Sequence, residues 1–105
     1  MKLAVIARRY ADLDAAEIAL WIERGWVRPA TVEAGWSFEP IDVARLDLVY
    51  DLRRQLGVSE DTLPLVLALV DQLHALQGTL DAVGRAIDAQ PAEIRAVIAR
   101  AIRAG

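Results

Sequence analysis

The chain has 105 residues, enough for one small domain whose core is often completed by a partner subunit. Its 12 basic and 15 acidic residues leave a net charge of −3, which argues against a nucleic-acid partner because phosphate binding depends on a basic face. The chain contains no cysteine, so disulfides, thiolate metal sites and cysteine nucleophiles are excluded.

The apolar content of 55% is high, but the sequence predicts neither a membrane span nor a secretory leader. The longest uncharged runs, residues 62–70 and 72–80, are separated by Asp71, and each is too short to cross a bilayer. At the N-terminus, "MKLAVIARRY" reaches two arginines before a secretory core is complete. We therefore expect a cytoplasmic protein without membrane association.

The first third of the chain predicts two short helices and a β-hairpin. Leu3, Ile6 and Tyr10 recur at helical spacing and predict the first helix. The second helix is expected between an N-cap at Asp14 and a stop at Gly25. The following "WVRPATVEAGWSF" is aromatic, β-branched and broken by proline and glycine, which predicts a small hairpin or wing.

Helical periodicity returns in the middle of the chain. A third helix is expected from Ile41 to Gly57, and Ser59 is expected to cap the next one. In that long helix the apolar residues are spaced 3, 4, 3, 4, 3, 4, which is a heptad pattern about 30 Å long. These residues, called the seam below, are Val66, Leu69, Leu73, Leu76, Leu80, Val83 and Ile87. A helix packed within its own domain has a similar pattern, but the length favours a homodimer.

A short basic helix is expected after Pro91. Ile94, Val97, Ile98 and Ile102 share one of its faces, and its arginines lie near the other. Such a helix can lie on a membrane surface, but we expect it to pack on the seam. The predicted organisation is thus a folded region at residues 1–58, a dimerisation helix at 59–90 and a basic helix at 91–105.

Few residues offer enzyme chemistry. Ser37 and Ser59 are the only serines and His74 is the only imidazole, so a serine nucleophile would need a chance meeting of Ser37 and His74. The sequence has no helical pair of metal ligands with a third ligand nearby and no glycine-rich phosphate loop. We therefore expect a protein that is not an enzyme and has no metal or cofactor.

The segments "IERGWVRP", "GWSF" and "DVARLDLVYDLR" resemble the MerR-type winged helix-turn-helix. This resemblance implies a mainly α fold, with a β-hairpin wing and a long dimerising helix. The matching positions are those of structural residues in that family: Gly25, Pro29, Gly35, Trp36, Phe38, Asp42, Val43, Arg45 and Leu46.

The positions that touch DNA in MerR-type proteins do not match. Ser37 stands where the family usually has a wing arginine, and Ala19 stands where its recognition helix has another. The helix that would enter the major groove carries Asp14, Glu17 and Glu23. Carboxylates facing a phosphate backbone oppose binding, so we expect no specific nucleic-acid contact.

The span from about residue 6 to residue 87 is more similar to the CbpM family of chaperone modulators, which are small MerR-like proteins. "LDAAEIALWIERGWVRP" resembles the second helix of that family and its exit, and "GWSF" resembles its wing. The resemblance implies a non-enzymatic protein that binds the J-domain of a DnaJ-like, CbpA-type co-chaperone and blocks its action on Hsp70.

An excess of acidic residues in the middle of the chain fits a basic partner. A J-domain presents a basic helix and an HPD-containing loop to Hsp70, and an acidic surface is suited to cover the same face. The expected partner-binding residues are Asp42, Asp47, Asp51, Glu60, Asp61 and Asp71. Asp47 and Asp51 are four residues apart on the face opposite the apolar stripe, so we expect both to be exposed.

The alternative function is transcriptional regulation with the same fold. DNA would then be read through Arg8, Arg9, Arg24 and Arg28, or the C-terminal half would carry an effector site. The carboxylates and the arginines can each be ordinary solvated surface. A pull-down from native lysate is the experiment that distinguishes the two functions.

Overall fold

The computed structural model describes residues 1–105, and the chain is mainly helical with a small two-stranded antiparallel hairpin and one long helix, as the sequence predicts. It divides into two compact units, residues 1–67 and residues 68–105. The elements in chain order are α1 Leu3–Ala7, α2 Ala15–Glu23, β1 Ala30–Val32, β2 Gly35–Ser37, α3 Pro40–Tyr50, a π-helical segment Asp51–Gln55, α4 Leu63–Asp88 and α5 Ala92–Ala104.

Local signals set the ends of α2 as expected. The side chain of Asp14 accepts a hydrogen bond from the backbone nitrogen of Glu17 at 2.8 Å, which satisfies one of the free N–H groups of the first turn. At the other end Gly25 has φ of 76°, a left-handed conformation that glycine adopts without strain. The chain can therefore turn directly into the hairpin.

The hairpin is tied to the N-terminal residues as well as to itself. Its register pairs Ala30 with Ser37 and Val32 with Gly35. The backbone nitrogen of Phe38 donates to the carbonyl of Met1 at 2.7 Å, and the amino group of Met1 donates to the carbonyl of Phe38 at 2.8 Å. These contacts hold Phe38, which is buried, against the first unit.

Helix α3 begins with a reciprocal capping box. The backbone nitrogen of Glu39 donates to Oδ2 of Asp42 at 2.8 Å, while the Glu39 side chain caps the backbone nitrogen of Asp42. Pro40 occupies the first turn, where its missing N–H costs nothing. The π-helical segment and a left-handed Gly57, with φ of 64°, then end the helical run as predicted.

Helix α4 begins four residues later than its expected cap. The hydroxyl of Ser59 accepts from the backbone nitrogen of Thr62 at 3.2 Å and so caps the turn at residues 60–62, whereas α4 itself starts at Leu63. Pro64 lies in the first turn of α4, the part of a helix that tolerates a residue without an N–H group. The expectation that Ser59 caps α4 directly is therefore corrected.

One hydrophobic core holds the first unit together. Its residues come from α1, α2 and the loop between them, the residues that flank the hairpin, α3, the π-helical segment and the first two turns of α4: Ile6, Leu13, Ile18, Trp21, Trp26, Val27, Phe38, Val43, Leu46, Val49, Leu52, Leu63 and Leu67. The core ends at Leu67, and no hydrophobic residue beyond it is buried.

The length of α4 corrects one exclusion. The 26 residues from Leu63 to Asp88 form a single helix that is long and apolar enough to cross a membrane by length and composition alone. The uncharged runs in the sequence did not indicate a helix of this length, because Asp71 interrupts the uncharged run but does not end the helix. A carboxylate near the middle of a spanning helix costs about 2.5 to 3.5 kcal/mol, however, and both Asp71 and Asp81 lie well inside α4.

Candidate protein-interaction surfaces

The six candidate carboxylates do not have equal access to a partner. Asp42 is half-buried and already caps α3, and Asp47 is half-buried against the segment that follows α1. Glu60 is exposed but ion-paired. Asp51 and Asp61 are exposed and form no ion pair, while Asp71 is exposed on α4 in the second unit.

Asp47 joins α3 to the segment after α1, which contradicts the expectation that its side chain is free. Its two oxygens accept from Nε of Arg9 at 3.2 Å and from Nη2 of Arg9 at 2.9 Å, in a bidentate pair. The hydroxyl of Tyr10 also donates to Oδ1 of Asp47. Asp47 points away from the core stripe as predicted, but Arg9 and Tyr10 cover it.

The Arg9 contact sets the ionisation of this cluster. The hydrogen bond from Arg9 holds the pKa of Asp47 below its usual value, and partial burial raises the pKa of Tyr10 above its usual value. Asp47 is therefore a charged, internally neutralised group that contributes little free negative potential.

Glu60 is engaged in a similar way by Arg24, the residue that follows α2. Its Oε1 lies 2.8 Å from Nη1 of Arg24 and 3.7 Å from Nη2 of Arg53. The hydrogen bond from Arg24 lowers the pKa of Glu60. The Arg24 guanidinium also lies 5.2 Å from the ring centroid of Trp26, within cation–π range.

Asp61 lines the shallow pocket beside this cluster. The pocket is formed by Arg24, Trp26, Glu60, Asp61 and Pro64. Of its two carboxylates, Glu60 is neutralised by arginine and Asp61 is not. Asp61 and Asp51 are thus the carboxylates of the first unit, among the six candidates, that a basic partner can reach without displacing an internal ion pair or a helix cap.

A third ion-pair cluster, around Arg54, was not predicted from the sequence. Arg54 pairs with Glu17 and approaches Asp12 at 3.7 Å, and the hydroxyl of Tyr50 donates to Asp12 at 2.5 Å. The partners are 37 to 42 residues apart in the chain, so no local spacing links them. The π-helical segment lies between α3 and Gly57 and carries Arg54 to these contacts.

The arginines proposed for DNA reading are mostly engaged within the first unit. Arg9 pairs with Asp47, and Arg24 pairs with Glu60. Nε of Arg28 donates to the carbonyl of Gly25 at 3.2 Å. Arg8 is exposed and makes no such contact.

The seam on α4 is exposed along most of its length. Leu69, Leu73, Leu76, Leu80 and Val83 are 49% to 62% exposed. At its ends, Val66 packs partly against the core of the first unit, and Ile87 is half-buried. A contiguous apolar stripe of this size on one chain is typical of a surface that another molecule covers.

The two serines and the histidine, which were the candidate catalytic residues, lie in different parts of the structure. Ser37 pairs with Ala30 in the hairpin, the Ser59 hydroxyl caps a turn, and His74 is exposed on α4. No group of three or more histidine, aspartate or glutamate side chains is placed to hold a metal ion.

Asp47→Asn is expected to destabilise the first unit by up to about 1 kcal/mol near neutral pH, since the ion pair is partly exposed and screened. Because the folded state lowers the pKa of Asp47, the pair stabilises the protein above the unfolded-state pKa, and this contribution is lost as the pH falls through the folded-state value. Urea unfolding measures the free energy of unfolding at neutral and at acid pH. Below about pH 4 this free energy should fall less in Asp47→Asn than in the wild type, because the variant has no ion pair to lose. Asp51→Asn, which removes an unpaired carboxylate, is the control and should match the wild type.

Comparisons of the chain with models of known families, with curated proteins and with solved structures found no match. The function is therefore inferred from the residues and contacts described above.

Proposed function

We propose that the protein is a non-enzymatic chaperone modulator that binds the J-domain of a DnaJ-like, CbpA-type co-chaperone and blocks its action on Hsp70. In this proposal α1 and α2 correspond to a MerR-like helix-turn-helix, the hairpin to its wing, and α4 to its dimerising helix. The glycine exit after α2, the tryptophan in the hairpin and the Asp-Val-x-Arg-Leu start of α3 support this correspondence.

The observation that carries the choice of partner is the state of the charged side chains in the first unit. Arg9 and Arg24 are neutralised by carboxylates of the same unit, and a neutralised arginine releases few counterions from a nucleic acid. Asp51 and Asp61 remain exposed and unpaired. This distribution favours a basic protein surface over a phosphate backbone.

The proposed mechanism is competition for one face of the J-domain. A basic helix of the J-domain would approach the exposed carboxylates, which accelerate encounter with a positively charged surface. Covering that helix and the adjoining HPD loop prevents the J-domain from stimulating Hsp70. No bond is made or broken by the protein itself.

The test is a titration of the full chain into a purified J-domain protein from the same organism, with Hsp70 ATPase stimulation as the readout. We expect direct binding in calorimetry and a stepwise loss of ATPase stimulation that reaches its limit at a fixed molar ratio. A chain that binds no cognate J-domain and leaves the ATPase rate unchanged rules out this function.

We further propose that the protein is a homodimer joined through the seam. The exposure of Leu69 to Val83 in a single chain supports this, because burying each such side chain contributes about 1.5 to 3 kcal/mol. The internal carboxylates Asp71 and Asp81 favour a protein partner over the interior of a bilayer.

A DNA-binding regulator of the same architecture is the alternative, and a mobility-shift series distinguishes it. We expect any complex with duplex DNA to disappear by physiological salt, where non-specific dissociation constants are about 10⁻⁴ to 10⁻⁶ M. Because Ser37 and Ala19 replace the expected arginines, the residual binding should not depend on DNA sequence. Nanomolar, sequence-selective binding under these conditions would establish the regulator instead.

A further inference from the structure

Residues 68–105 form two helices with no buried hydrophobic residue between them. In α5, Ile94, Val97 and Ile102 are 45%, 57% and 68% exposed, and no residue of the helix is buried. The seam on α4 is exposed as well. Two ordered helices that bury no apolar side chain do not recover the conformational entropy lost on folding, so their stability requires a partner surface.

The apolar face of α4 is wider than a two-stranded coiled coil needs. The positions that flank the seam carry no charge: Val70, Gln72, Gln77, Thr79, Gly84 and Ala86. In two-stranded coiled coils these flanks usually carry charged residues that pair between the helices. A helix in a bundle instead needs a broader face, because it contacts more than one neighbour. The sequence of α4 therefore fits a bundle.

The charges on the two helices are complementary. Asp81 and Asp88, seven residues apart, lie along the same side of α4 and form no ion pair within the chain. Arg95 and Arg100 border the apolar face of α5 and are also unpaired within the chain. Arg95 and Arg100 are five residues apart, so they lie on opposite edges of the apolar face of α5. An α5 helix placed on an α4 face can thus bury its isoleucines while one of the two arginines approaches these carboxylates.

We propose that a second copy of this chain covers both faces, with α5 of each copy packed on the seam of its partner, so that the two copies form a four-helix module. In the single chain, α5 leaves the seam of its own α4 exposed, which assigns the covering helix to the other copy. The inference rests on the homodimer proposed above. It does not depend on J-domain binding, because its readout is the oligomeric state of the chain alone.

The first test compares Val97→Asp with Ala96→Asp in the full chain by sedimentation velocity. Val97 lies on the apolar face of α5, whereas Ala96 lies on the opposite face and is exposed. We expect Val97→Asp to raise the dimer dissociation constant at least about a hundredfold, since a buried unpaired charge is strongly disfavoured. Ala96→Asp should dimerise like the wild type. Equal dimerisation of both variants would overturn the proposal.

The second test distinguishes packing of α5 on α4 of the other copy from packing of α5 on α4 of its own chain. All of its substitutions are at exposed charged residues. One variant carries Arg95→Glu and Arg100→Glu, and the other carries Asp81→Lys and Asp88→Lys. Each alone should dimerise less than the wild type, because α5 and the partner's α4 then carry like charges. An equimolar mixture should form heterodimers, since each α5 then meets an oppositely charged α4. If the mixture dimerises no more strongly than either variant alone, α5 does not pack on α4 of the partner copy, and the proposal is contradicted.

The third arm addresses a lipid surface, the other occupant suited to a basic amphipathic helix. Wild-type protein is mixed with vesicles of phosphatidylglycerol and phosphatidylcholine and sedimented with them. We expect the dimer to remain in the supernatant at physiological salt, because the apolar face of α5 is already covered. A monomeric chain that co-sediments with these vesicles would replace the proposal with membrane binding.

Discussion

Replacing Leu73 and Leu80 together by aspartate is expected to convert the proposed dimer into monomers at micromolar concentration. Both side chains lie in the middle of the seam and are 62% and 61% exposed in the single chain. In the proposed dimer both side chains are buried, so two carboxylates there cost several kcal/mol. Sedimentation velocity and light scattering measure the change directly.

The structure also predicts what this double substitution leaves intact. The core of the first unit ends at Leu67, and neither substituted residue belongs to it. We therefore expect the fluorescence of the buried Trp21 and Trp26 to stay native-like, with helix loss confined to residues 68–105. General unfolding of the variant would show that the first unit depends on the seam.

His74→Asp is the matched control for this experiment. Together with the natural Asp81, the new carboxylate gives two carboxylates seven residues apart, the same spacing as in the double variant. They lie at the positions that directly follow Leu73 and Leu80. His74 is exposed and lies outside the seam, so this variant should remain dimeric. A wild-type protein that sediments as a monomer at micromolar concentration contradicts the seam hypothesis altogether.

The second large effect concerns the proposed binding to a J-domain. Asp51→Lys combined with Asp61→Lys is expected to slow association with a cognate J-domain about tenfold or more, because opposite charges accelerate encounter by factors of 10 to 10³. Raising the salt concentration should weaken wild-type binding mainly through the association rate, since charges are screened over about 8 Å in physiological salt. Stopped-flow or surface-based kinetics resolve the two rate constants.

The contacts of Asp47 determine the choice of residues for this experiment. Asp47→Lys would place a lysine against Arg9 and remove the bond from Tyr10, so a loss of binding could reflect a damaged first unit. Asp51 and Asp61 have no ion pair to lose. Glu33→Lys replaces one carboxylate by an ammonium group, which is half the charge change of the double variant, at an exposed turn of the hairpin and should leave binding close to the wild type. If the double variant binds and inhibits like the wild type, the partner surface lies elsewhere.

Local signals in the sequence were sufficient for the ends of several elements and for the seam. Asp14 caps α2, Gly25 and Gly57 take left-handed conformations, and the 3,4 spacing runs along one continuous helix. Each of these features depends on residues a few positions apart, whose geometry is fixed by the helix itself. The sequence therefore determined the mainly helical architecture and the long apolar stripe.

The state of the charged residues was decided by the tertiary structure alone. The helical period places Asp47 and Asp51 on the same outward face, yet the segment after α1 covers Asp47 and leaves Asp51 free. Arg54 likewise reaches Glu17 across 37 residues of chain. Such pairs form where separate helices pack together, and a one-dimensional pattern does not record which helix lies against which. For this reason the sequence determined which residues face outward, and the packing of α1 and α2 against α3 decided which of them a partner can reach.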